Sequence, residues 1–155
     1  METELDTETV GERRDALLER ALASAAGVAE TKVGEAMSTD PLIVAPEDTL
    51  GEVAEHMCER QVDSAAVAEY GRLVGIVTSC DMLRAIASRV HSSEARVRQW
   101  MTAAPITVSA ATTLDIADAL MAEHGIHHLP VVEAERPVGL LEARDAVPGL
   151  RIRVP

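Results

Sequence analysis

The chain has 155 residues, 47% apolar and 26% charged, a balance that supports one compact hydrophobic core or two small fused ones and excludes disorder throughout. Its 26 acidic and 14 basic side chains give a formal charge of −12, which repels phosphate backbones and anionic lipid headgroups, so neither nucleic acid nor a membrane is an expected partner. No apolar run approaches the roughly 18 residues a bilayer span needs, and the start Met1-Glu2-Thr3-Glu4-Leu5-Asp6 is the opposite of a basic signal-peptide start, so a cytoplasmic location is expected.

Residues 1–32 form an acidic segment, the first 30 holding eight acids against three arginines. Within it 12–26 predicts a helix, with Leu17, Leu18, Ala21, Leu22 and Ala25 on one side and Gly27 as its stop. A short strand is expected over 42–44, after Pro41. Thr49 then opens a helix whose apolar face is Leu50, Val53, Ala54, Met57 and Cys58, capped by Asp48 or Thr49. Strands at 65–68 and 73–77 flank the turn Glu69-Tyr70-Gly71-Arg72 and make a hairpin. A second helix follows from about Ser79, with Met82, Leu83, Ile86, Ala87 and Val90 on one face. The same order recurs as a strand at 105–108, a helix at 113–123, strands at 128–132 and 138–141, and a helix from Ala143 that Pro148-Gly149 cuts short. Residues 151–154 read as a strand or a tail.

The recurrence has a fixed period. A gapless shift of 64 residues lays 33–83 over 97–147 and matches Val33 with Val97, Met37 with Met101, Pro41 with Pro105, Thr49-Leu50 with Thr113-Leu114, Val74-Gly75 with Val138-Gly139, and Asp81 with Asp145. Cys58 and Cys80 are too few for a disulfide framework and are expected to be buried or partly buried thiols. His124, His127 and His128 fit no ligand spacing, and no metal is expected. Tyr70 and Trp100 are the only aromatic residues, so a planar ligand would be gripped by aliphatic side chains and backbone.

A unit that begins V-x-x-x-M-[ST]-x-x-P and closes on Gly75-Ile76-Val77-Thr78-Ser79-Cys80-Asp81 resembles the cystathionine β-synthase (CBS) domain. Two in tandem resemble a CBS pair, or Bateman module. The resemblance implies an α/β (α+β) fold of two βαββα repeats packed about a pseudo-twofold axis, with an extra N-terminal helix. Repeat 1 would span 33–90, a linker 91–96, repeat 2 97–147 and a tail 148–155. It also implies two clefts, which in many members bind adenine nucleotides such as AMP, ADP or ATP, or S-adenosylmethionine, and frequent dimerisation through the helices.

The closing motif has a physical logic of its own. Unpaired N–H groups at a helix start attract an anion, the Thr78 hydroxyl can donate to a phosphate, and the Asp81 carboxylate can accept ribose hydroxyls. The same spacing is also a capping box, in which Thr78 and Asp81 satisfy backbone groups, and both roles stand open at this point. Gly125-Ile126-His127-His128-Leu129-Pro130-Val131-Val132 resembles the segment in which the regulatory gamma subunit of the AMP-activated protein kinase presents a His-Arg pair to nucleotide phosphates. His127 matches that His, and His128 takes the Arg place as a weaker, pH-dependent donor. Ile106 matches an apolar adenine contact. The resemblance thus assembles one nucleotide cleft from Val77, Thr78, Asp81, Ile106, His127 and His128.

A second, weaker cleft would use Leu42, Asp63, Glu142 and Asp145. There Glu142 replaces the phosphate-side Thr, and a carboxylate at 4 Å from a phosphate costs on the order of 4 kcal/mol at an effective dielectric near 20. Asp63 and His127 are related by the repeat and are expected to face each other and pair. The function implied is that of a cytoplasmic regulatory protein, not an enzyme, that binds an adenine nucleotide and signals occupancy by a change of shape or oligomeric state. Its partners would be that small molecule, a second copy in a homodimer and an effector protein of unknown identity. The alternatives are a ligand-free dimerising scaffold and an S-adenosylmethionine binder.

Overall fold

The computed structural model describes residues 31–143. The expected helix at 12–26, the final helix beyond Ala143, Asp145 and the 151–154 segment lie outside the described residues. The elements in order are α1 (Val33–Ala36), β1 (Ile43–Val44), α2 (Leu50–Arg60), β2 (Ser64–Glu69), β3 (Arg72–Thr78), α3 (Ser79–Ala87), α4 (Val97–Trp100), β4 (Thr102–Ala103), α5 (Leu114–His124), β5 (His128–Glu133) and β6 (Arg136–Glu142).

The first sheet runs β1-β2-β3-β4, with β1 parallel to β2 and the other pairs antiparallel. The second consists of β5 and β6, flanked by single bridges from Val108 to Val131 and from Ser38 to Leu140. Those bridges stand where β1 and β4 stand in the first sheet. The strand expected at 105–108 is therefore only a bridge at Val108, while β4 was not anticipated because two exposed residues leave no alternating pattern to read. Both hairpins slip register at matching places, after Val67 and after Val131. Their turns need positive φ at both central residues, Tyr70 (52°) and Gly71 (79°) in one, Ala134 (47°) and Glu135 (65°) in the other.

Each lobe has its own core. The first gathers Val44, Val53, Val67 and Val77; the second gathers Val108, Ala117, Leu129, Val131 and Leu141. The short helices that open the repeats cross over: Val97 of α4 is fully buried in the first core, and Val33 of α1 is fully buried in the second. The glycines of the closing motif explain how each crossing segment seats so closely on the hairpin of the lobe it joins. A Cβ on Gly75 would lie 2.5 Å from the Met101 sulfur, and one on Gly139 would lie 2.5 Å from the Met37 sulfur. The Met of V-x-x-x-M packs over the Gly of the other repeat's motif.

At the α2 start, Thr49 rather than Asp48 is the cap. Its hydroxyl accepts from Glu52 N at 3.2 Å while the Glu52 carboxylate accepts from Thr49 N at 3.0 Å. Asp48 instead accepts from Ala45 N at 2.8 Å within the preceding turn.

Two expectations about burial are corrected. On α3 the buried positions are Asp81 and Ala85 with Met82 half-buried, whereas Leu83, Ile86 and Ala87 are exposed, as is Val90 beyond the helix end. The helix is turned so that its capping carboxylate faces inward and one apolar stripe faces solvent. Cys58 and Cys80 are both exposed. Cys58 sits one step round the helix from buried Met57, and Cys80 lies in the first turn of α3 at the mouth of a cavity.

Candidate functional site

β3 ends at Thr78 and α3 begins at Ser79, so the motif residues meet at a strand-to-helix junction. Asp81 is only 4% exposed, and both of its oxygens are engaged. Oδ2 accepts from Thr78 N at 2.8 Å and from the Thr78 hydroxyl at 3.1 Å; Oδ1 accepts from Arg84 Nη1 at 3.1 Å. The capping role foreseen from the spacing is thus occupied in the free chain. The junction is pinned further where Ser79 N donates to Asp63 O at 2.9 Å, matched in the other repeat by Ala143 N donating to His127 O at 2.8 Å.

This junction opens onto a cavity of about 580 Å³ between the two repeats. Five of the six expected residues line it: Thr78, Asp81, Ile106, His127 and His128. Val77 does not, because its side chain points to the other face of β3 and is fully buried in the first core. Its neighbour Ile76 lines the cavity instead, and with Ile106 and Ile126 it forms an apolar wall suited to a flat base where no aromatic ring is present. Thr102, Ala104 and Pro105 supply the chain that crosses from one lobe to the other.

Of the residues expected at a second cleft, the structure describes Leu42, Asp63 and Glu142. Leu42 is buried in the first core, because its side chain points inward beside β1, and Asp63 lines the first cavity rather than a second one. Glu142 ends β6 opposite His128, and Asp145 lies outside the described residues. Asp63 and His127 do face one cavity, yet no ion pair joins them; both are exposed, where solvent competes for each. Among the described residues no group of three or more His, Cys, Asp or Glu side chains could hold a metal ion.

Sequence reasoning missed Arg84. It lines the cavity, and among the described lining residues it is the one side chain with a permanent positive charge, against the carboxylates of Asp63 and Asp81. The signal was present as helical phase: Arg84 is three residues after Asp81, hence on the same side of α3.

Comparison with known proteins places this geometry. The CBS domain model matches residues 33–88 and 97–150. The CBS domain-containing protein YhcV of Bacillus subtilis is 28% identical over 115 residues, covering 74% of this chain and 82% of that protein. A CBS domain protein from Pyrobaculum aerophilum complexed with AMP superposes with a TM-score of 0.69 at 28% identity, over 74% of this chain and 88% of that one. A CBS domain pair in complex with 5′-methylthioadenosine and S-adenosyl-L-methionine gives a TM-score of 0.69 at 26% identity, over 74% of this chain and 95% of that one.

Proposed function

Because this chain belongs to the CBS domain family, we propose that it is a regulatory protein that takes one adenine nucleotide, of the AMP, ADP or ATP class, into the cavity between its repeats. One observation supports this above the rest. An apolar wall of Ile76, Ile106 and Ile126, a buried carboxylate at Asp81, the Thr78 hydroxyl, and the imidazoles of His127 and His128 converge on one cavity of about 580 Å³, within the size range of small-molecule sites. The isoleucines hold the base, Asp81 takes the ribose, and Thr78 with the two imidazoles faces the phosphate. AMP bound to a relative of the same fold supports the ligand class.

Occupancy is passed on through a change of shape or of dimer geometry. The exposed stripe of Leu83, Ile86 and Val90 beside the cavity-lining side of α3 is the proposed contact between copies in a homodimer, with an effector protein as reader. Isothermal titration calorimetry with AMP, ADP, ATP, adenosine and S-adenosylmethionine tests the reading. One site per chain with an adenine nucleotide is the expected result. Two equal AMP sites would refute the exclusion argued from Glu142, and no heat with any of the five would leave the ligand-free scaffold.

A second reading has one observation in its favour. Asp63 brings a carboxylate to the cavity wall, which suits the positive sulfonium of S-adenosylmethionine better than a phosphate. Tighter binding of S-adenosylmethionine than of AMP in the same titrations would select it.

A further inference from the structure

Building on the adenine-nucleotide reading above, we propose that Arg84 is the phosphate-selecting residue of the cavity, held in reserve by Asp81 until a ribose displaces it. The two oxygens of Asp81 have different work. Oδ2 faces the helix start, where Thr78 N and the Thr78 hydroxyl hold it at 2.8 and 3.1 Å, and this contact holds the strand-to-helix junction together. Oδ1 accepts from Arg84 Nη1 at 3.1 Å, and both residues line the cavity. The cap and the ribose contact therefore do not compete for one oxygen.

The energetics favour exchange at Oδ1. The Asp81 side chain is 6% exposed, but that of Arg84 is 67% exposed, so the guanidinium is already largely hydrated and its pairing is worth little. A ribose hydroxyl arriving in the cavity replaces that bond with a charge-assisted one and keeps the buried carboxylate satisfied. The released guanidinium stays tethered to a helix that lines the cavity. There it meets a phosphate that has Asp63 nearby and no other permanent cation among the described lining residues. Its planar fork suits two phosphate oxygens at once.

The arrangement is a relay in which recognition of the sugar frees the group that recognises the phosphate. Its signature is opposite effects on two ligands that differ only in the phosphate. Removing Arg84 takes away the phosphate partner, and it also removes the competitor that adenosine must displace.

The test is calorimetry of the full chain and its Arg84→Gln variant with AMP and with adenosine at fixed ionic strength, with Arg84→Lys as a charge-retaining control. Wild type should prefer AMP. In Arg84→Gln, AMP affinity should fall about tenfold or more, the size of one lost charged hydrogen bond, while adenosine affinity holds or rises. Arg84→Lys should fall between the two. An equal loss for both ligands would make Arg84 a prop for Asp81 and overturn the proposal, as would an unchanged AMP-to-adenosine ratio. Failure of wild type to bind either ligand would overturn the nucleotide reading itself, and the proposal with it.

Discussion

Asp81 is a buried carboxylate whose two oxygens can be separated by mutation. Asp81→Asn keeps an oxygen for Thr78 N, so its melting temperature should stay within a few degrees of wild type while adenosine affinity drops about tenfold, the loss of one charged acceptor. Asp81→Ala loses the cap as well and should cost about 1 kcal/mol in urea denaturation besides abolishing binding. If both variants keep full adenosine affinity, Asp81 is a cap alone. Glu52 gives a pH prediction at the same scale. The Thr49 backbone N–H, and next the Thr49 hydroxyl, hold its carboxyl below the ordinary value of 4.5. A depressed folded-state pKa stabilises above the unfolded value and is lost as pH falls through the folded one. Stability should therefore decline as pH drops below about 5, and Glu52→Gln should flatten that decline in thermal melts taken from about pH 5 downward. Residues of this kind were readable in the sequence where a local spacing defines them, as with Thr78 and Asp81, whereas Glu52 was not read and the cap it shares was left between Asp48 and Thr49. Val77 was misplaced because period-two alternation decides which face a strand residue takes, and a motif match does not count faces. Arg84 was passed over because its role depends on which side of α3 is buried, and the apolar stripe suggested the wrong side.

At the level of elements, the glycines divide into two kinds. Gly71 is needed for its backbone, with φ of 79° in a hairpin turn, and a Cβ there would come no nearer than 3.9 Å to Arg136. Gly75 is needed for its missing side chain, since a Cβ would sit 2.5 Å from the Met101 sulfur and 3.0 Å from Thr102 O. Gly71→Ala should cost about 1 kcal/mol, the left-handed penalty. Gly75→Ala should cost up to about 3 kcal/mol, because the Met101 chain and β4 must shift. Chemical denaturation of the two variants compares them directly; equal losses would mean that Met101 has room to retreat. Helices α2, α3 and α5 and the two hairpins were legible because each is long enough to show its period, whereas α1 and α4, of four residues each, were not read. The crossing segments were not: β4 and the bridge at Val108 are too short to carry a pattern and are fixed by what they pack against.

Across the whole molecule, the repeat seen in the sequence and the packed lobe seen in three dimensions are offset. Val33 belongs to repeat 1 and to the second core; Val97 belongs to repeat 2 and to the first. Neither repeat taken as a continuous stretch holds a complete core, so the two lobes should unfold in one cooperative transition. Cutting the chain at Ser93, in the exposed connection before α4, tests this. Each fragment alone should lack native circular dichroism, and the two co-expressed should purify together with the native spectrum restored. A folded solitary fragment would refute the offset.

The crossing of α1 and α4 has the form of a domain swap made permanent by a covalent link. A single copy of the repeat could fill its core only by lending its opening helix to a second copy and receiving one in return, so self-association and folding would have been the same event. Joining two copies end to end turned that reciprocal exchange into an intramolecular one, at an effective concentration set by the short connection. It also released the two copies from identity. One carries Thr at position 78 and the other Glu at position 142, a difference that a symmetric pair of identical separate chains could never express.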